Sequence, residues 1–191
     1  MIDRSLDNAV SNFEKGNLLV AFDELEVLAE EGVEESYSFL GNIYEHGLDE
    51  GGPDYERANY WYEKSLDTVG SVAAYLGLIR INYYGLGEFS DYRKAFCLSR
   101  ELSEEKKHPY AYFFIGKMFL HGKGVEKDLN RAFLYFEKSW CKGYVFGMTY
   151  MGITAQEQGK WFKSWRYRLK AACYAYRISL MDKKSQRIRE L

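Results

Sequence analysis

Residues 121–140 read HGKGVEKDLNRAFLYFEKSW, and residues 46–66 read HGLDEGGPDYERANYWYEKSL. Both stretches open on His-Gly, pass through a loop containing Asp, reach Arg-Ala and close on an aromatic residue followed by Glu-Lys-Ser. A phrase written twice in one chain signals an internal repeat, and a repeat decides the fold before any single residue does. Laying the segments over one another gives a period near 37: Ala58, Ala95 and Ala132 share one position, and Gly47, Gly85 and Gly122 share another. Ser36, Ala74, Ala111 and Gly147 mark the start of each unit, and Gly41, Ile79, Gly116 and Gly152 follow five residues later.

Within each unit the apolar residues recur at three and four, as in Leu18, Ala21, Phe22, Leu25 and Leu28, which is the period of a helix with one buried face. Strand-like alternation is nowhere sustained, and proline occurs only at Pro53 and Pro109. The chain therefore reads as all-α: an α/α superhelix, or solenoid, of about five helical hairpins. The hairpins fall at about residues 1–33, 34–69, 70–104, 107–143 and 144–175, with a C-terminal capping helix at about 175–190, the whole forming one domain. Small residues such as Gly41 and Gly116 are expected to let the second helix of a pair approach closely, with the Ala at its start meeting them.

The motif Tyr37-x-x-Leu40-Gly41-x-x-Tyr44 followed by Ala58-x-x-x-Tyr62 resembles the tetratricopeptide repeat. The longer loop with Gly122, Gly124, Val125 and Asp128 before Ala132 resembles its Sel1-like relative, most specifically over residues 109–143. Ile79 and Asn82 depart from the pattern, as does the short loop between Gly152 and Ser164. The resemblance implies a helical scaffold that binds other proteins and carries no catalytic residues. Bacterial members serve as adaptors, as host-interaction factors or as immunity proteins that neutralise a toxin.

Composition agrees with an ordered globular chain: 191 residues, 47% apolar and 17% aromatic. No apolar run approaches the roughly 18 residues of a membrane span, and MIDRSLDNAV lacks the apolar core of a secretory signal, so a cytoplasmic location is expected. Cys97, Cys141 and Cys173 are too scattered for a disulfide framework or thiolate metal site and are expected to be half-buried thiols. His46 and His121 share one repeat position at the end of a helix, where a structural role explains both. Gly85-Leu86-Gly87 and Gly122-Lys123-Gly124 recur at the repeat spacing and read as turn glycines rather than phosphate cradles. Asp49, Glu50, Asp54 and Glu56 lack the spacing of a calcium loop and read as a solvated loop. No catalytic residue, cofactor or metal is assigned.

Charge is unevenly placed: residues 1–70 hold 17 acidic and 4 basic residues, whereas residues 71–191 hold 11 acidic and 22 basic ones. Such polarity permits weak head-to-tail self-association. The stretch KWFKSWRYRLKAACYAYRI, residues 160–178, mixes bases with aromatics, and Trp161, Trp165, Leu169 and Ala172 stand at the spacing needed to close the last hairpin. A terminal capping helix with a basic face is the leading reading of it, with an acidic protein surface, nucleic acid or anionic lipid as alternative contacts.

The favoured function is a non-catalytic protein-interaction scaffold, and within that class a bacterial immunity or antitoxin-like protein acting on a toxin, effector or complex component. A general adaptor and nucleic-acid binding through the basic C-terminal half are the alternatives. The partner surface is expected on the first helices of the pairs, at Asn42, Arg80, Tyr83, Tyr110, Phe113, Lys117 and Phe146, residues one or two steps around from the packing glycines.

Overall fold

The computed structural model describes residues 5–48 and 52–181; Asp49 and Glu50 of the acidic loop and residues 182–190 of the expected cap lie outside them. Ten α-helices and one short 3-10 turn make up the described residues, with no strand among them. The class is the all-α solenoid of helical hairpins. The pairs are α1 (Leu6–Glu14) with α2 (Leu18–Glu30), α3 (Tyr37–His46) with α4 (Tyr55–Val69), α5 (Val72–Tyr84) with α6 (Tyr92–Glu105), α7 (Pro109–His121) with α8 (Leu129–Cys141), and α9 (Val145–Glu157) with α10 (Trp161–Met181). α10 runs unbroken through residue 175, where the sequence places a boundary. Two compact units divide the chain, Met1–Leu98 and Ser99–Leu191, with the division falling inside α6.

The repeated phrase has a mechanical meaning at each position. A glycine ends the first helix of each of these pairs: Gly122 of His-Gly caps α7 and Gly85, after Tyr84, caps α5, both at φ 67° in the left-handed region, while Gly47 of the other His-Gly ends α3 at φ 84° and ψ 144°. The Asp begins the second helix. Asp54 accepts from the Arg57 amide at 3.0 Å, Asp91 from Arg93 and Lys94 at 2.9 Å, and Asp128 from Asn130 and Arg131 at 2.9 Å. Each such cap contributes about 0.5–2 kcal/mol. Asp54 is thus a helix cap rather than a member of a merely solvated loop. In the second copy of the phrase the Ser of Glu-Lys-Ser ties the end of the hairpin to its beginning, Ser139 Oγ donating to the Pro109 carbonyl at 2.8 Å, whereas the buried Ser65 Oγ of the first copy makes no hydrogen bond.

Glycine and aromatic ring interlock at the helix crossings. A Cβ on Gly41 would lie 2.6 Å from the Tyr62 ring, and one on Gly116 would lie 2.7 Å from Phe136. The residue met is therefore the ring four positions after the conserved-register Ala, not the Ala itself. On the other side of Tyr62 stands Gly77 of α5, so that ring is clasped between glycines of two successive pairs. Gly147 repeats this against the α8 backbone at Phe136 and Trp140, with 2.6 Å to the Phe136 carbonyl oxygen. Around these crossings in the first unit, Leu25 and Leu40 are fully buried and Phe13, Phe22 and Trp61 pack on them. Burying each such side chain stabilises the unit by about 1.5–3 kcal/mol.

α10 is set against α9 by small residues. Gly152 lies 3.2 Å, through its would-be Cβ, from the Ser164 carbonyl oxygen, and Ser164 and Ala171 are the buried residues of that face. Trp161, Trp165, Leu169 and Ala172, expected to close the hairpin, face outward instead, and the two tryptophans are each 65% exposed. An indole cannot enter the space that a Gly-Ser crossing leaves, so the helix turns its small residues inward. Cys97, Cys141 and Cys173 are free and exposed, not half-buried.

Candidate functional site

In the first unit, the expected surface residues Asn42, Arg80 and Tyr83 lie around an ion pair that the sequence does not announce. Glu45, on α3, has a side chain only 6% exposed. Arg80, on α5, donates to it twice, Nε to Oε1 at 2.7 Å and Nη2 to Oε2 at 2.6 Å, and the Tyr62 hydroxyl donates to Oε2 at 2.7 Å. Asn42 is half-buried on the same helix as Glu45. Burial first, and then the neighbouring Glu45 carboxylate, hold the Tyr62 phenol far above its ordinary range. Tyr83 is 2% exposed, edge-on to Tyr84 and Tyr92. Tyr83 is therefore buried between α5 and α6, and Arg80, its side chain 25% exposed, is committed to Glu45 of α3, contrary to the expectation of a free partner surface.

The second unit brings three of its four expected residues, Tyr110, Phe113 and Phe146, together around Tyr144. Tyr110 and Phe113 on α7 meet Tyr144 and Phe146 at the start of α9, with Tyr110–Tyr144 centroids 5.6 Å apart, Phe113–Tyr144 5.0 Å and Phe113–Phe146 6.3 Å. Tyr110, Tyr144 and Phe146 are half-exposed, whereas Phe113 is 6% exposed and also packs on Phe136 and Tyr150. Phe113 is thus the floor of an aromatic surface rather than a contact on it. Tyr144, which precedes α9, joins the surface without having been singled out; its aromatic character beside Phe146 was the available signal.

Lys117 is the second correction on α7. It is 7% exposed, with its amine over the Phe113 and Phe114 rings at 5.7 and 5.1 Å, so it belongs to the interior. Burial, with the charge of Lys123 adding to it, pulls the amine down to about 8. Because its folded pKa is depressed, the folded chain binds fewer protons than the unfolded chain between about pH 8 and the ordinary lysine value of 10.5, and the stability set by this site rises with pH through that window. Lys117→Met is expected to raise stability at pH 7 by about 1–3 kcal/mol and to flatten the rise between about pH 8 and 10. Chemical denaturation at several pH values checks both, and a parent slope retained in the variant would remove Lys117 as its source.

Elsewhere the chemistry is sparse. His46 Nδ1 lies 2.9 Å from the Asn42 carbonyl at the end of its own helix, and burial, followed by the nearby Lys117 charge, pushes His121 below its ordinary value. Among the described residues no cluster of His, Cys, Asp or Glu is placed to hold a metal, and no helix is long and apolar enough to cross a membrane.

Hairpins closed by glycine-ring crossings and Asp-capped second helices define a helical-repeat protein. The chain belongs to the Sel1 repeat family, whose model matches residues 34–67, 71–97 and 109–144, together just over half its length. Among solved structures it is similar to a Sel1 repeat protein from Oxalobacter formigenes, at 23% identity and TM-score 0.68, over 86% of this chain and 69% of that one. It is also similar to a protective antigen of uropathogenic Escherichia coli with an SLR fold, at 24% identity and TM-score 0.65, covering 90% of this chain but only 38% of that protein. MamA matches at 18% identity and TM-score 0.67, over 92% of this chain and 98% of that one. No curated protein sequence matches. Sel1 repeats generally form non-catalytic scaffolds for protein–protein interaction.

Proposed function

We propose that this chain is a protein-binding scaffold of the immunity or antitoxin type, which neutralises a toxin or effector by covering it with the aromatic surface of α7 and α9. The observation that carries the reading is the half-exposed group Tyr110, Tyr144 and Phe146 over the buried Phe113. Aromatic residues carry a large share of interface energy, and rings already braced against one another lose little freedom on binding. Inhibition by occlusion asks nothing more of a scaffold than such a surface, which accords with a non-catalytic repeat.

Affinity purification followed by mass spectrometry tests the reading. A single stoichiometric partner that arrests growth when expressed alone, and is silenced by co-expression of this chain, is the expected result; many weak partners would make it a general adaptor. Tyr110→Ala combined with Phe146→Ala is expected to weaken the purified complex by at least about 2 kcal/mol with helix content retained. Wild-type affinity by calorimetry would move the site away from α7 and α9.

A further inference from the structure

The outward face of α10 and that of α2 complement each other, and we propose that they dock between copies: α10 of one chain lies on α2 of a second copy, head to tail. On α10, Trp161, Phe162, Trp165, Leu169 and Tyr176 are 65%, 89%, 65%, 47% and 66% exposed. At 100° per residue these five fall within one third of the helix circumference, their centre about 120° around from the buried Ser164 and Ala171. Along one edge of that stripe run Lys163, Arg166, Lys170 and Arg177, and the helix contains no acidic residue. Among the described residues nothing covers the stripe, and an exposed apolar patch of this size marks an interaction surface.

α2 presents the reciprocal pattern. Leu19 and Val20 are 53% and 50% exposed, with Asp23 and Glu30 exposed on the same side, and the helix holds four acidic residues and no basic one. The lengths agree: residues 161–176 span about 22 Å and α2 about 20 Å at 1.5 Å per residue. Two basic α10 faces repel, as do two acidic α2 faces, so the contact is between unlike faces and is heterologous. An anionic lipid surface would satisfy the α10 face alone, but it leaves α2 unexplained and repels it.

Sedimentation velocity of the 191-residue chain over a concentration series tests the contact. The mean mass is expected to rise with concentration and to fall as salt goes from about 0.05 to about 0.5 M, where screening shortens to a few ångströms. Arg166→Glu with Lys170→Glu, and separately Asp23→Lys with Glu30→Lys, should each weaken association about tenfold or more, while an equimolar mixture of the two variants associates again. All four positions are exposed, so circular dichroism should show both variants folded. A monomer at every concentration and salt, or variants that associate like the parent, would overturn the proposal. So would capture by phosphatidylserine vesicles without self-association, which would assign the stripe to lipid. The measurement needs no partner protein, and Tyr110→Ala with Phe146→Ala should leave it unchanged, so its outcome is separate from that of the scaffold reading.

Discussion

Glu45→Ala is expected to lower the stability of the first unit by about 3–5 kcal/mol, the usual cost of breaking a buried ion pair from one side. The carboxylate accepts both Arg80 bonds and the Tyr62 hydroxyl, and it does so with 6% of its side chain exposed. Its removal leaves a guanidinium and a phenol aimed at a methyl group; Arg80 keeps 25% of its side chain in solvent, but the buried phenol loses its acceptor outright. The pair itself need not be strongly stabilising, because desolvating two charges offsets much of their attraction. Glu45→Met combined with Arg80→Met should therefore recover most of what Glu45→Ala loses. Urea titration decides the matter: an unfolding free energy within about 1 kcal/mol of the parent for Glu45→Ala would mean that solvent reaches the pair.

Much of the fold was legible because the repeat is written in residues that do backbone work. Glycines at helix ends, Asp at helix starts and the Ala-x-x-x-ring spacing each have one geometric use, and the 37-residue period repeats them. The third pair is the irregular one. Ile79 stands where the register places glycine, and Ser99 stands where it places the ring; each is fully buried.

The site was less legible, for two physical reasons. A stripe reading assumes that a helix has a wet side, but α7 is buried continuously from Phe113 to Leu120, as a helix apolar nearly all round should be. On that assumption Phe113 and Lys117 read as surface, whereas they are 6% and 7% exposed. The Glu45–Arg80 pair joins residues 35 apart, close to one period, yet nothing in either residue distinguishes a buried pair from two solvated charges. α10 misled differently. Its tryptophans look like core, yet the crossing at Gly152 is filled by the Ser164 backbone and the Arg168 side chain, and the tryptophans face outward.

Gly116→Leu is expected to cost the second unit about 3 kcal/mol or more, at or beyond the upper end of ordinary overpacking. A Cβ alone would stand 2.7 Å from two atoms of the Phe136 ring, and the remaining three carbons of leucine would have to enter the same crossing. Phe136 cannot simply withdraw. It is fully buried, with Phe113 and Tyr150 against it at centroid distances of 5.7 and 5.1 Å, and α9 presses on the far side of its backbone through Gly147. The helices must therefore part, which opens the aromatic floor beneath Tyr110 and Tyr144 as well. Gly116→Ala tests the pairing more finely, since its single methyl group should be tolerated better when Phe136→Leu makes room. In a double-mutant cycle those two substitutions should couple by about 0.5–3 kcal/mol, whereas strictly additive losses would show that glycine and ring do not meet.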